Sequence, residues 1–229
     1  MTRRERQATG RTPSCDACAT AKTSAVFQKR QLNIIKKASK LFIKKGYAQT
    51  SMRDIAKATG IDVGNLYYFI KSKEEILYLI FDMFHKPEEE IFERCEISKI
   101  EDPLEQLRTM VMELINLGGN FGLEILLLYR ESRVLPRENL KSIMARESHV
   151  ISQIEGILKK GIREKVFKIK DTSFTANMIM YELSLYAMRR WNMKRYTKEE
   201  FTDLLWKHIG KVVGAGEMKK ARFVKRSAK

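Results

Sequence analysis

At three helix starts in this chain a serine or threonine stands three residues ahead of an acid, with apolar residues at helical spacing following. The pairs are Ser51 with Asp54, Ser72 with Glu75 and Thr197 with Glu200. In such a pair the hydroxyl accepts from the third amide of a helix while the carboxylate reaches back to the capping residue. Two amides that a helix N-terminus leaves unpaired are thereby satisfied. Long stretches of the same periodicity, only four prolines and twelve glycines, and no alternating runs bounded by turn dipeptides predict an all-α fold. With 229 residues, 44% of them apolar, the chain can bury a sizeable core.

The first helices can be placed by their faces and stops. From residue 28 on, Ile34, Ile35, Ala38, Leu41 and Phe42 share one face, Lys36, Lys37, Lys40 and Lys44 lie largely opposite, and Gly46 ends the run. Ser51 opens a second helix that Gly60 closes. Gly64 to Phe69 reads as a short third helix, and Ser72 opens a fourth. A longer helix followed by two short ones around a tight glycine turn is the helix-turn-helix layout.

The stretch from Leu41 to Ala56, continued by Gly60 to Tyr68 and Lys71 to Leu77, resembles the DNA-binding domain of the TetR/AcrR family of repressors. The resemblance implies an N-terminal three-helix DNA-binding domain on a helical body that dimerises and senses a ligand. It also implies roles for individual residues. Thr50 or Ser51, Arg53 and Lys73 would clamp phosphates, two of these positions lying beside helix N-terminal amides. The third helix would enter the major groove, making Asp62, Val63, Gly64, Asn65, Tyr67 and Tyr68 candidates for reading base edges. Tyr67 suits either a phosphate contact or packing, Leu66, Ile55 and Ile70 read as core, and Tyr47 is expected under the first helix. The chain departs from the family pattern at Phe69, where histidine or tyrosine is usual, and at Ile70, where phenylalanine is usual. A phosphate contact at Phe69 is therefore lost or replaced by an apolar one.

Charge agrees with a polyanionic partner at one end. Residues 1–30 carry seven Lys or Arg against two acids, residues 31–76 nine against four, and residues 216–229 six against one. Residues 77–215 are almost balanced, with 22 basic and 21 acidic side chains. The positive field belongs to the N-terminal third and the tails, as expected if that part faces DNA. The expected division is a basic disordered tail over 1–27, the DNA-binding domain over 28–76, a ligand-binding and dimerisation domain over 77–215, and a basic tail over 216–229.

In the body the periodicity predicts helices over 103–117, ended by Gly118 and Gly119, over 121–130, over 137–161 with a stop at Gly161, and over 172–191 and 198–213. Pro87 is expected to break or restart the fourth helix. The last pair carries two stripes, Met178, Tyr181, Leu185 and Met188 on one helix and Phe201, Leu204, Leu205, Ile209 and Val212 on the other. They would form an isologous four-helix interface, or serve the core of one chain. Phe84, Met110, Phe121, Tyr129, Met144 and Tyr181 are candidates to line a ligand pocket. The segment Leu127 to Arg133, followed by Leu140 to Gly161, is loosely similar to acyl-coenzyme A-responsive regulators of fatty-acid and sterol catabolism. That likeness implies an amphipathic effector, with Arg130 and Arg133 meeting its acidic head group or simply pairing with Glu131 and solvent.

Other functions find no support in the residues. The CxxC at Cys15 and Cys18 lacks the second ligand pair that zinc requires, and His85, His149 and His208 are scattered singly. No nucleophile elbow, zinc-protease, phosphate-loop or dinucleotide motif is present, so no enzyme, metal or cofactor is expected. With no apolar run of spanning length, the expected setting is the cytoplasm, at the nucleoid, without a membrane partner. The expected partners are a palindromic operator in double-stranded DNA, a small-molecule effector and a second copy of the chain; the rival reading is a non-specific basic DNA-binding protein.

Overall fold

The computed structural model describes residues 15–120 and 122–215, and among these it contains helices and turns but no strand. The helices are α1 (Cys15–Lys45), α2 (Met52–Thr59), α3 (Val63–Phe69), α4 (Lys73–Glu89), α5 (Ile91–Arg94), α6 (Pro103–Asn120), α7 (Gly122–Glu131), α8 (Arg137–Arg163), α9 (Thr172–Met188), α10 (Arg190–Met193) and α11 (Lys198–Val213). Short 3-10 turns occupy Ile97–Lys99 and Ser132–Val134. No single described helix is long and apolar enough to cross a membrane.

The predicted caps are present. Ser51 and Thr197 form full capping boxes with Asp54 and Glu200. At Ser72 the hydroxyl accepts from Glu75 N at 3.1 Å, but the Glu75 carboxylate reaches one residue further back, accepting from Lys71 N at 2.6 Å. Gly46 and Gly60 have φ of 94° and 75°, left-handed values at which a side chain would be strained.

Several expected breaks do not occur. The helical backbone of α1 begins at Cys15, so residues 15–27 belong to a helix and not to a disordered tail. α4 runs through Pro87 to Glu89; so close to the helix end the ring interrupts only the final turn. α6 runs past Gly118 and Gly119 to Asn120. Gly161 lies inside α8, where Phe167 packs onto its Cα and leaves no room for a side chain. In α7, Ile125 and Leu127 are buried while Leu123 is exposed.

Two cores organise the chain. The first joins Ile34, Ala38 and Phe42 of α1, Ile55 of α2, Leu66 of α3 and Ile76, Leu77, Ile80 and Phe81 of α4 to Leu127, Leu135 and Ile143 from the body. The expected boundary at 76/77 is thus a boundary in sequence and not in packing. The second gathers Leu107, Met110 and Val111 of α6, Val150, Ile154 and Leu158 of α8, Ile179 of α9 and Leu205, Trp206 and Ile209 of α11. Complete burial of each such side chain contributes about 1.5–3 kcal/mol. Between the cores Phe84, Ile125 and Ala187 form a small bridge.

Candidate nucleic-acid interface and ligand cavity

Helix α3 is held at its start and along its inner face. Asp62 caps it, its Oδ1 accepting from Asn65 N at 2.9 Å and its Oδ2 from the Asn65 side-chain amide. Leu66 anchors the inner face with no exposed surface. Gly64, Asn65, Tyr67 and Tyr68 consequently face outward, Tyr67 with 49% and Tyr68 with 74% of its surface exposed. One N–H of the Asn65 amide is engaged by Asp62, which leaves its second N–H and its carbonyl oxygen to meet a partner. Val63 and Phe69 are half-buried and pack against the first core.

The four phosphate-clamp candidates divide. Arg53 and Ser51 are exposed at the start of α2. Thr50 is buried, and its hydroxyl donates to Gly46 O at 2.7 Å, so of the Thr50/Ser51 alternatives only Ser51 is exposed, with its hydroxyl donating to Asp54 Oδ2 at 2.7 Å. Lys73 is half-buried; its ammonium donates to Tyr47 O at 2.9 Å and lies 4.3 Å from the centre of the Tyr47 ring. Tyr47 is buried against Phe42, as expected, and donates its hydroxyl proton to Glu74 Oε1 at 2.9 Å. Burial first, and the Glu74 hydrogen bond second, push its phenol far above the usual range. At the front of α2, the hydrogen bond from Lys45 at 2.9 Å, followed by those from Ser51, holds the Asp54 carboxyl well below the usual carboxylate range. That ion pair ties the end of α1 to the start of α2.

A cavity of about 430 Å³ opens behind this head, lined by α1, α6, α7, α9, α10 and α11. Its walls are mostly apolar, with Ile43, Ile115, Leu123, Leu183 and Phe201, and three cations stand at it: Lys40, Arg190 and Lys198. Glycine at 119 makes room for one of them, since a Cβ there would stand 2.7 Å from Lys198 Nζ. On the same wall Glu124 Oε1 accepts from Ser39 Oγ of α1 at 2.9 Å. A second, much smaller cavity of about 30 Å³ shares Gly118, Ile125 and Leu183 with the first. It contains the buried pair His85 and Glu88, with Nδ1 and Oε2 2.8 Å apart and His85 Nε2 without a partner among the described residues. Burial pushes the Glu88 carboxyl up.

Most of the ligand-pocket candidates lie elsewhere. Phe84 and Tyr129 line the smaller cavity. Met110 belongs to the closed body core, whereas Arg130, Arg133, Met144 and Tyr181 are exposed and line neither cavity. Phe121 lies outside the described residues. The residues missed are the cations Lys40, Arg190 and Lys198 and the small residues Gly118, Gly119, Gly122 and Ala187, whose contribution is space rather than a side chain.

The interface stripes are also redrawn. Phe201, Leu205 and Ile209 are buried in the chain's own core, and Leu185 and Met188 are half-buried. The outward apolar surface is Met178, Tyr181, Leu204 and Val212, joined by Phe174, which is 66% exposed. No group of three or more His, Cys, Asp or Glu side chains able to hold a metal occurs among the described residues.

Residues 34–78 match the family described as bacterial regulatory proteins, tetR family, and residues 101–194 match the tetracyclin repressor-like C-terminal domain. The chain belongs to the TetR family. Among its relatives, the HTH-type transcriptional regulator TtgR of Pseudomonas putida is 27% identical over 95 residues, 42% of this chain and 45% of that one. The Fatty acid metabolism regulator protein of Bacillus subtilis is 28% identical over 147 residues, 61% of this chain and 71% of that one. The match to TtgR thus spans about half of that relative's length. In structure the TetR-family chain is similar to AibR, solved in complex with isovaleryl coenzyme A and operator DNA. That likeness has a TM-score of 0.69 at 23% identity and covers 82% of this chain and all of the other, so it concerns the fold.

Proposed function

We propose that this TetR-family chain is a homodimeric, sequence-specific repressor of transcription, active in the cytoplasm, that places α3 in the major groove of a palindromic operator. The observation that carries the reading is the outward face of α3, with Gly64, Asn65, Tyr67 and Tyr68 clear of the core and flanked by exposed Ser51 and Arg53. Phosphate contacts of Ser51 and Arg53 would set register, and the α3 side chains would read bases. A homodimer is supported by the outward apolar surface of α9 and α11, since a two-fold interface presents two such heads at a fixed spacing.

The effector is a small amphiphile with an acidic head, of which an acyl-coenzyme A is one example. Its apolar part would lie against Ile43, Ile115 and Leu183, and its anion would meet Lys40, Arg190 and Lys198. A volume of about 430 Å³ falls in the range of small-molecule sites. Lys40 and Ile43 belong to α1, so a bound molecule touches the head directly, and differential affinity for two head positions would relieve repression.

Selection of bound duplexes from a random pool at about 150 mM salt, which suppresses weak phosphate attraction, tests the first claim. Enrichment of a palindrome is expected; binding retained without enrichment would leave only a non-specific basic DNA-binding protein. Decanoyl-coenzyme A titrated against the selected duplex tests the second. Release is expected, and K40A with R190A should weaken it; unchanged operator affinity at saturating ligand would refute the effector reading.

A further inference from the structure

The helix α1 extends well ahead of the part that closes the first core. Its apolar anchors there begin at Ile34, yet helical backbone starts at Cys15. Two described side chains of this leading part, Phe27 and Gln31, touch the recognition helix. Phe27 is half-buried, its ring centre 5.1 Å from that of Phe69 and 5.8 Å from that of Tyr68, and it meets the Tyr68 ring edge-on at 80°. One turn later Gln31 Nε2 donates to Phe69 O at 3.3 Å. The apolar contact that replaces a phosphate partner at Phe69 is therefore a contact with α1.

We infer that the leading part of α1 is a further piece of the DNA interface, with Phe27 as the positioning residue and Arg30 as a phosphate contact. At about 100° per residue, Arg30 lies about 60° around the helix from Phe27, whereas Lys29 lies about 160° away. Arg30 is exposed and has no acidic partner among the described residues. On that flank of Phe27, whose ring touches the 74% exposed Tyr68, Arg30 shares the side of α1 that meets α3, so the surface that carries α3 to DNA would carry Arg30 as well. The helical turn from Phe27 to Gln31 holds it there, and the edge-on Phe27 ring also restrains the Tyr68 ring that reads the groove. The charge suits the partner, since residues 1–30 carry seven basic side chains against two acids.

This rests on the DNA-binding reading, and the experiment separates the two. The full-length protein and its R30A, K29A and F27A variants are titrated with the selected palindromic duplex over a range of salt. Alanine keeps the helix, so the arginine variant reports the lost contact. R30A should bind several-fold more weakly at about 150 mM salt and lower the slope of log affinity against log salt by about 0.9, the value of one phosphate contact. K29A should leave the slope unchanged. F27A should cause the same loss and make R30A silent in the double variant; F27L, which keeps an apolar anchor, should recover most of it and stands in if F27A fails to fold. Equal slopes for R30A and the parent protein, or equal losses for R30A and K29A, would overturn the inference while leaving operator binding intact. Absence of any palindrome-selective binding by the parent would overturn the DNA-binding reading itself.

Discussion

Two glycines of α8 should respond oppositely to the same substitution. An added Cβ at Gly161 would stand 2.7 Å from Phe167 Cγ and closer still to Cδ2 and Cε2, while at Gly156 nothing lies within 4 Å. The Phe167 ring has little freedom to yield. It is buried, Val166 N and Phe167 N donate to Gly161 O at 2.8 and 3.1 Å, and Lys168 N donates to Val213 O at 2.8 Å. Alanine in place of glycine favours a helix by about 0.8–1 kcal/mol. Overpacking costs about 1–3 kcal/mol, and complete loss of a buried phenylalanine about 3–5 kcal/mol. G161A should therefore lose about 2–3 kcal/mol net, with a Tm about 5–10 °C lower for a chain of this size. G156A should gain up to about 1 kcal/mol. Urea unfolding followed by circular dichroism at one protein concentration is the assay, with midpoints moving apart and slopes unchanged. If both variants shift the same way, the close approach of Phe167 is not what keeps glycine at 161.

Leu66→Ala should cost about 2–5 kcal/mol in unfolding experiments, because the side chain is fully buried, whereas Tyr68→Ala should leave stability within about 0.5 kcal/mol and lower operator affinity. Leu204→Glu, at a position 51% exposed, should yield a folded monomer by analytical ultracentrifugation with weakened operator binding; a dimer of unchanged affinity would refute the α9/α11 interface. Burial raises the folded-state pKa of Glu88 above its ordinary 4.5, so its contribution to stability is present below that value and is lost as pH rises through the folded pKa. Glu88→Gln should flatten the rise in urea midpoint seen on going from neutral to mildly acidic pH and stabilise the protein at pH 7.5; an unaltered pH profile would assign the effect to another group.

What could be read from the sequence was local. The capped starts at Ser51, Ser72 and Thr197 and the stop at Gly60 depend on neighbours within a few residues, so short-range pattern suffices to place them. What escaped depends on neighbours far along the chain. Gly161 looks like a stop until Phe167 is seen to cover it, and Gly119 until Lys198 is seen beside it. On α11 the stripe of Phe201, Leu204, Leu205, Ile209 and Val212 is wide enough for two partners, and only packing shows that Phe201, Leu205 and Ile209 face inward. The larger cavity draws its cations from α1, α10 and α11, so no single segment carries its signature. Arg130 and Arg133, adjacent to an apolar run, were by contrast conspicuous and lie on the surface.

The core shared by Phe42, Ile55 and Phe81 with Leu127, Leu135 and Ile143 bears on how such proteins can be recombined. A graft that moved residues 28–81 onto a foreign body would transplant a surface shaped for three specific aliphatic side chains and meet whatever the recipient places there. New operator specificity on this body is therefore better sought by exchanging Asn65, Tyr67 and Tyr68 in place than by splicing whole heads. A splice that is attempted should carry the three body positions across as part of the donor.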